Sequence, residues 1–472
     1  MTNGDPCGLS ATELLAAYAA RRVTPLELVQ ASLDRIERFN PKLNAFTRVL
    51  GESALQEARA STARWARGAP SGKLDGVTVA VKDLFLTKGI PTLRGSLAVD
   101  ENQAWDADAP CVARLREQGA IIIGKTTTSE YGWKGVTDSL RHGVTRNPWN
   151  SELTPGGSSG GSAVAVAARM AALAIGTDGG GSVRIPASFT GTVGFKPTFG
   201  RVPSFPLSPV GTIAHTGPIC RTVEDAALLM DVIGQRDPRD WYALPTSPAP
   251  FWPVQEPKAK RPRIAVVKKL WGQEADDEVE QVFETAVNAL ANCRAEIVRC
   301  EPDWPDIREA FRIHWMAGAG NAIRALSPDR QEKIEKGLLQ NARDGMKITL
   351  VQFQEAVSQR ERFGSAINLF FQDFDFLVTP STATLPFSAG QENPSRVDGS
   401  HSLAWACFLY PFNLSQNPAV SVPAGLSTTG LPVGIQIVGD RYEDQAVLQL
   451  AHRFERFAHP MPVPGLTPLL PA

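Results

Sequence analysis

Residues 156–186 read GGSSGGSAVAVAARMAALAIGTDGGGSVRIP, and their composition is the most unusual of the chain. Two clusters of glycine and serine flank an apolar, alanine-rich segment, Ala163 to Gly176. We predict that this segment is a buried helix, because it has almost no polar side chain to present to water. Clusters of glycine and serine alone are typical of flexible loops. Around a core element, their glycines are better explained as backbone that approaches a reacting group.

The second cluster, Asp178 to Ser182, has the composition of an oxyanion hole. Hydrolysis of an amide passes through a tetrahedral oxyanion, which is best stabilised by backbone N–H groups that are already in position. The three glycines before the serine are Gly179, Gly180 and Gly181. Without Cβ atoms, they allow several N–H groups to converge. We expect Asp178 and Arg184, which bracket the turn, to form an ion pair that holds its shape.

A serine nucleophile needs a base, and no histidine lies near either cluster in the sequence. The candidate is Lys82, which directly follows the apolar strand pattern Val77 to Val81. Burial disfavours the charged form of an amine, lowers its pKa and makes the neutral amine available as a base. A lysine after a strand is commonly an ordinary exposed charge, so this pattern alone leaves both interpretations of Lys82 open.

Together these motifs resemble the amidase signature family. The resemblance rests on Gly76 to Asp83, Gly156 to Ser162, Asp178 to Pro186, Gly194 to Arg201, Pro411 to Asn413 and Gly430 to Gly439. It covers nearly the whole chain, and the 24 residues from Ser158 to Ser182 match the family spacing. Residues 240–262 and 305–400 match least.

The resemblance implies a Ser–cis-Ser–Lys triad. Ser182 would attack the carbonyl carbon, Ser158 on a cis peptide bond would relay the proton, and Lys82 would act as the ultimate base and then as acid. The oxyanion hole would consist of the N–H groups of Gly179, Gly180, Gly181 and Ser182. Supporting roles would fall to Ser159, Asp178 and Arg184. Gly179 stands where many relatives carry a larger residue, which predicts a looser turn in this chain.

The expected fold is that of the family, a three-layer α/β/α sandwich around a central mixed β-sheet. Capping boxes at Ser10–Glu13 and Thr24–Glu27 predict helices at the N-terminus. A helix pattern at Pro110–Gln118 before the β-branched run Ile121–Ile123 supports an α/β arrangement. Further strand patterns occur at 264–267, 376–379, 419–422 and 434–438. We expect one domain, 1–472, made of N-terminal helices (1–65), a catalytic core (66–235), a linker-like loop (236–263), a variable, mostly helical substrate region (264–400) and a C-terminal completion of the core (401–472).

Two other motifs fit the chain. Gly119 to Thr126 matches the P-loop pattern GxxxxGK[ST], but its Ala-Ile-Ile-Ile is typical of a buried strand rather than a turn around phosphate. Gly156 to Gly160 matches the GxSxG nucleophile elbow of α/β-hydrolases, which requires a later aspartate and histidine. Because His401 and His452 follow, this pattern alone leaves the elbow open, and the serine and lysine motifs favour the amidase interpretation.

The composition excludes several other classes of protein. Forty-eight basic against forty-nine acidic residues give no electrostatic reason to expect nucleic acid or an anionic membrane as partner. Six cysteines without a CxxC pair and six histidines without HExxH predict neither a disulfide framework nor a metal site. The start of the chain lacks a signal-peptide pattern, and the longest apolar run is too short to span a bilayer. We expect a soluble cytoplasmic enzyme without metal or organic cofactor, as monomer or homodimer.

The expected activity is hydrolysis of small aryl or alkyl amides through an acyl-enzyme on Ser182, with carbamates (urethanes) and esters as further substrates known in the family. Aromatic side chains of the least family-like region either line an apolar pocket or form ordinary helix core. They are Phe311, Trp315, Met316, Phe353, Phe363, Phe370 and Phe371. The alternative function is that of a glutamine-hydrolysing amidotransferase subunit, which shares the triad and delivers ammonia to a partner.

Overall fold

An eleven-stranded mixed sheet lies at the centre of the computed structural model, which describes residues 5–256, 261–394, 404–458 and 461–465. The described residues form fifteen strands: β1 Phe46–Val49, β2 Thr78–Lys82, β3 Ile121–Thr126, β4 Asp138–Ser139, β5 Gly143–Val144, β6 Leu173–Asp178, β7 Val193–Lys196, β8 His215–Cys220, β9 Arg263–Val266, β10 Lys269–Leu270, β11 Gln273–Glu274, β12 Glu296–Arg299, β13 Phe376–Pro380, β14 Ala419–Leu426 and β15 Pro432–Gly439. Eleven of them form the central sheet, while β4 with β5 and β10 with β11 form two separate two-stranded sheets. The order in the central sheet is β1-β3-β2-β6-β8-β7-β14-β15-β13-β9-β12. Parallel pairs join β2 to β3 and β6, and β9 to β12 and β13; the other pairs are antiparallel.

Helices cover both faces of this sheet. They are α1 Ala11–Ala19, α2 Pro25–Leu43, α3 Gly51–Ala66, α4 Pro110–Glu117, α5 Gly160–Ala167, α6 Arg184–Thr190, α7 Val223–Ile233, α8 Asp277–Asn292, α9 Arg308–Ile323, α10 Pro328–Gln331, α11 Lys336–Gly345, α12 Leu350–Phe370, α13 Pro411–Leu414 and α14 Asp444–Phe457. In β2, Val79 and Val81 pack into one core with α4 and α7, whereas Ala80 packs into another with α5. Because successive strand residues point to opposite faces, this alternation confirms the three-layer α/β/α sandwich.

Both predicted capping boxes are confirmed. The Ser10 N–H donates to Glu13 at 2.7 Å while the Ser10 hydroxyl accepts from the Glu13 N–H at 3.2 Å. Thr24 and Glu27 exchange the same two hydrogen bonds at the start of α2. These caps satisfy backbone donors that a helix end leaves without partners.

The prediction of one buried helix over Ala163 to Gly176 is wrong in its second half. Helix α5 ends at Ala167, and Arg169 adopts the left-handed conformation with φ 57°, which turns the chain back. Strand β6 then runs from Leu173 to Asp178. A strand that is buried on both faces is as apolar as a buried helix, so periodicity could not separate the two. The change places Asp178 at the end of a central strand.

Residues 236–256 and 261–262 form neither helix nor strand, and the buried Phe251 anchors this loop by donating its N–H to Asp231 at 2.6 Å. The P-loop lookalike is mostly strand β3, in which the buried Lys125 contacts Phe85 O at 2.7 Å. The one-domain division stays a prediction. Of the described helices, none is both long and apolar enough to cross a membrane.

Candidate active site

The site begins where two neighbouring parallel strands end. β2 pairs with β6 in parallel register, with Val81 opposite Ile175, so the carboxyl ends of both strands meet at one edge of the sheet. Lys82 is the last residue of β2, and Thr177 and Asp178 end β6. The first glycine–serine cluster leads into α5 beside them. The fold thus brings together residues that lie up to 96 positions apart in the sequence.

Lys82 is enclosed by three hydroxyl groups. Its Nζ lies 2.7 Å from Ser158 Oγ, 2.8 Å from Ser159 Oγ and 2.8 Å from Thr177 Oγ1. The side chain is fully buried, and this burial lowers the pKa of Lys82 well below its usual value, although the carboxylate of Asp178 opposes the shift. A neutral amine in this position can accept a proton from Ser158.

Ser158 and Ser182 line the same cavity. The peptide bond from Gly157 to Ser158 is cis, and a Cβ atom at Gly157 would come within 2.3 Å of the Val136 backbone, so only glycine fits there. The Ser159 N–H donates to the Ser182 carbonyl at 3.1 Å, which ties the two clusters together. Ser182 is only 6% exposed.

Asp178 and Arg184 form the predicted ion pair, and both are fully buried. Arg184 donates to both oxygens of Asp178 at 2.9 Å. It also donates to Asn413 at 2.7 Å and Gln436 at 2.6 Å, two residues of the C-terminal motifs. Burial alone would raise the pKa of Asp178, but the charge and hydrogen bonds of Arg184, together with Lys196 and Asn413, outweigh it and hold this pKa well below the usual range. Motifs far apart in sequence therefore hold one turn.

We expect Arg184→Met to lower the free energy of unfolding by about 3–5 kcal/mol, because it leaves the Asp178 carboxylate buried and unpaired. In Arg299→Met, which breaks an exposed pair with Glu284, the loss should stay below about 1 kcal/mol. Since the folded pKa of Asp178 is depressed, its stabilising contribution is present above the unfolded value of about 3.9 and is lost as the pH falls below it. Urea unfolding at about pH 7 and about pH 3 measures both effects. Equal losses in the two variants would contradict this role.

The oxyanion loop differs from its prediction at Gly181. The Gly181 N–H donates to Asp178 Oδ1 at 2.7 Å, so it is engaged within the protein. Its φ of 119° lies in the region that favours glycine, and this explains the residue without a role in binding the oxyanion. Gly179 and Gly180 remain candidates for the oxyanion hole.

The turn is also not looser at Gly179, because aromatic side chains fill the space of the missing Cβ atoms. A Cβ at Gly179 would lie 2.9 Å from the Trp315 ring, and one at Gly180 would lie 2.8 Å from the Phe311 ring. Trp315 stacks on Phe311 at 5.5 Å, Phe311 stacks on Tyr410 at 4.7 Å, and the Trp315 indole donates to Trp133 O at 3.1 Å. Helix α9 thus packs against the oxyanion loop.

The cavity that contains both serines has a volume of about 480 Å³ and mainly apolar walls. Of the seven aromatic and methionine residues predicted as pocket or core, only Trp315 lines it. Of the others, Phe311 and Phe363 are buried in the core of the helical region, and Phe370 and Phe371 pack against it. Met316 is buried outside this cluster, and Phe353 is half-buried against His314. Most of the apolar wall comes instead from Leu84, Phe85, Tyr131, Trp133 and the loop 203–210.

Sequence reasoning missed two polar residues of the site. Thr177 is the third hydroxyl around Lys82, and it directly precedes the motif that begins at Asp178. His215 lies opposite Asp178 in the antiparallel pair of β6 and β8 and lines the cavity. Burial and the charge of Lys196 lower the pKa of His215 well below its usual value, so its imidazole is neutral. His215 lies at the site because β8 pairs with β6, and this pairing cannot be read from the sequence alone.

Neither the elbow nor a metal site gains support from the described residues. Of the two late histidines that left the elbow open, His452 lies 3.7 Å from Glu224 and does not line the cavity, and His401 lies outside the described residues. Within the described part of the chain, no group of three or more His, Cys, Asp or Glu side chains is placed to hold a metal ion.

Comparison with known proteins gives a consistent result. The profile of the Amidase family matches residues 27–448. The chain is 34% identical over 464 residues to an acylamidase of Rhodococcus erythropolis, with 96% of both chains covered. It is 37% identical over 488 residues to a glutamyl-tRNA(Gln) amidotransferase subunit of Acidothermus cellulolyticus, with 94% of both covered. Among solved structures, a bacterial aryl acylamidase of the amidase signature enzymes has a TM-score of 0.88 at 30% identity, with 96% of both chains covered. The chain belongs to the amidase signature family.

Proposed function

We propose that this amidohydrolase cleaves small aryl and alkyl amides through an acyl-enzyme on Ser182, with Ser158 as proton relay and Lys82 as base. The observation that supports it most is the buried Lys82 amine, 2.7 Å from the Ser158 hydroxyl, in a cavity that Ser182 also lines. A lysine that is neutral because of its burial is suited to general-base chemistry near neutral pH.

In the proposed mechanism, neutral Lys82 accepts the proton of Ser158 while Ser158 accepts that of Ser182. The Ser182 oxygen then attacks the carbonyl carbon and forms a tetrahedral oxyanion. The Lys82 ammonium returns the proton through Ser158 to the leaving nitrogen, the C–N bond breaks, and the amine departs. Water, activated by the same relay, hydrolyses the acyl-enzyme and releases the acid.

The N–H groups of Gly179, Gly180 and Ser182 would stabilise the oxyanion. Backbone donors that are held in place cost no reorganisation during the reaction, and losing one such donor typically raises the barrier by about 3–4 kcal/mol. The hydrogen bonds that Asp178 accepts from the Gly181 and Val183 N–H groups and the packing of Trp315 and Phe311 support this loop from two sides.

The apolar cavity supports aryl and alkyl groups as substrates. Its volume falls in the range of sites that enclose a small organic molecule. The similarity to the acylamidase of Rhodococcus erythropolis points in the same direction. Carbamates and esters share the reacting carbonyl, and we include them in the proposal.

Extending the acyl chain of an anilide from two to four carbons should raise kcat/KM or leave it unchanged. Each added methylene group gains binding free energy against an apolar wall, but it changes the discrimination between substrates by only about 1–3 kcal/mol. The measurement is a panel of anilides, alkyl amides, carbamates and p-nitrophenyl esters against the purified protein, with L-glutamine and L-asparagine alongside. If only glutamine or asparagine is hydrolysed, the proposed substrate class is wrong.

The second candidate, a glutamine-hydrolysing amidotransferase subunit, is favoured by relatives of similar identity with the name of an amidotransferase. The residues that line the cavity do not favour glutamine as the substrate. Free glutamine carries an α-ammonium group, and none of the described residues that line the cavity is an aspartate or glutamate. Gel filtration with a glutaminase assay separates the two: the proposal expects a free-standing enzyme without glutaminase activity.

A further inference from the structure

We propose that Arg94 binds a carboxylate on the substrate, so that the preferred amides carry an acidic group at a distance from the bond that is cleaved. This inference rests on the proposed function and adds a substrate class to it. Arg94 supplies the one charged side chain among the described residues that line the active-site cavity, since His215 is neutral there.

The Arg94 guanidinium has no acidic partner within the described part of the chain. Its central carbon lies 5.9 Å from the Tyr131 ring centroid, and no carboxylate oxygen of a described residue comes within the 4.0 Å of an ion pair. Arg94 is half-buried and lines a mainly apolar cavity, in which no described residue supplies a counter-charge. A carboxylate is the group that suits this position, because it matches the guanidinium fork with two parallel hydrogen bonds.

The backbone holds Arg94 firmly relative to the catalytic strand. The Arg94 N–H donates to Asp83, the residue after Lys82, at 3.1 Å, and the Arg94 carbonyl accepts from the Tyr131 N–H at 2.8 Å. Arg94 and Tyr131 both adopt left-handed conformations, with φ of 57° and 51°. Such conformations cost energy in residues other than glycine, and they are concentrated at ligand sites.

Arg94 also lies at the boundary between two cavities. A second cavity of about 360 Å³ shares Arg94 and Tyr131 with the first, and its other lining residues include Arg330 and Asp100, which pair with each other at 3.5 Å. The first cavity is mainly apolar, whereas the second has several charged side chains among its lining residues. A substrate whose apolar part fills the first cavity would therefore meet its first charged side chain at Arg94.

The test compares pairs of anilides whose acyl chains of increasing length end either in a carboxylate or in an isopropyl group of the same shape. A second series carries the two end groups on the amine side of the amide. The readout is the ratio of kcat/KM for acid over isopropyl within each protein, which cancels any effect on the chemistry itself. In the wild type we expect this ratio to peak at one chain length. Arg94→Gln should lower the peak ratio by about 10- to 100-fold, the factor for one charge-assisted pair.

Two further variants sharpen the result. Arg94→Lys keeps the positive charge but lacks the guanidinium fork, so its acid-over-isopropyl ratio should lie between those of Arg94→Gln and the wild type. Arg59→Gln changes an exposed arginine on α3 and should leave the ratio at the wild-type value. If wild type and Arg94→Gln share one ratio at every length in both series, the carboxylate site is wrong while the amidase activity stands. If the wild type cleaves no anilide of any kind, the proposed function itself fails, and the inference fails with it.

Discussion

We expect Ser182→Ala to remove turnover of amides and esters while the protein stays folded. The expected loss in kcat is on the order of 10⁴- to 10⁶-fold, as for other nucleophiles that act as part of a linked set. The change removes one oxygen atom from a side chain that is 6% exposed, so the melting temperature should move little. Labelling by a fluorophosphonate, which reacts with an activated serine, should disappear together with turnover. Ser53→Ala, an exposed serine on α3, is the matched control and keeps both properties.

In the competing nucleophile-elbow interpretation, the nucleophile is Ser158 and not Ser182. If labelling persists in Ser182→Ala and is lost in Ser158→Ala, Ser158 is the nucleophile and the elbow is correct. In the proposed triad, Ser158→Ala slows labelling because the relay to Lys82 is broken, but Ser182 stays the labelled residue. Mass spectrometry of the labelled peptide decides between them.

Lys82→Ala should reduce amide hydrolysis by about 10²- to 10⁴-fold, and it should reduce hydrolysis of p-nitrophenyl esters less. The leaving nitrogen of an amide needs a proton, which Lys82 supplies through Ser158, whereas p-nitrophenolate leaves without one. Equal losses on both substrates would count against a general-acid role. A variant as active as the wild type on amides would exclude the triad.

The pH profile of the wild type belongs to the same prediction. Burial lowers the pKa of Lys82, so kcat/KM should rise as the pH rises through that lowered value, well below the usual 10.4 or so. The control is Lys125, another fully buried lysine, whose pKa burial lowers to about 8. Its Nζ contacts Phe85 O, Thr87 and Thr92 and lies 3.4 Å from the buried Asp83 carboxylate, and Lys125 does not line the cavity. Lys125→Met leaves Asp83 without this partner and should lower the melting temperature, but the folded variant should keep the acidic limb, whereas the residual esterase activity of Lys82→Ala should lack it.

The sequence predicted the layer architecture and the contact of Lys82 with the glycine–serine clusters. Strand and helix patterns, which are local features, indicated an α/β arrangement, whereas the three layers, the mixed sheet and the Ser–Ser–Lys arrangement were implied by the resemblance to the amidase signature family. The strand identity of 173–178 was missed, since a buried strand and a buried helix share one apolar composition. His215 and Arg94 were missed for another reason. Their positions depend on strand pairing and on a left-handed loop, and neither leaves a pattern in a single sequence.

The pocket wall shows the same limit. The aromatic residues of α9 and α12 fall at helical spacing in both helices, so their sequence pattern does not distinguish pocket from core. Only the packing shows that Trp315 lines the cavity while Phe363 is enclosed in the core. The proline-rich loop 203–210 carries no motif, although its composition excludes regular structure and suits the rim of a site.

The contact between Trp315 and Gly179 means that these two positions share a fixed volume. Any side chain larger than glycine at 179 would have to displace the indole, and a smaller residue at 315 alone would leave a void beside the oxyanion loop. The two positions must therefore change together, and the energies of substitutions there are not additive. A larger side chain at position 179 combined with a smaller one at position 315 would keep the oxyanion loop packed and would change the shape of the cavity wall. New substrate ranges can arise in this scaffold by such paired exchanges, without any change to the reacting groups.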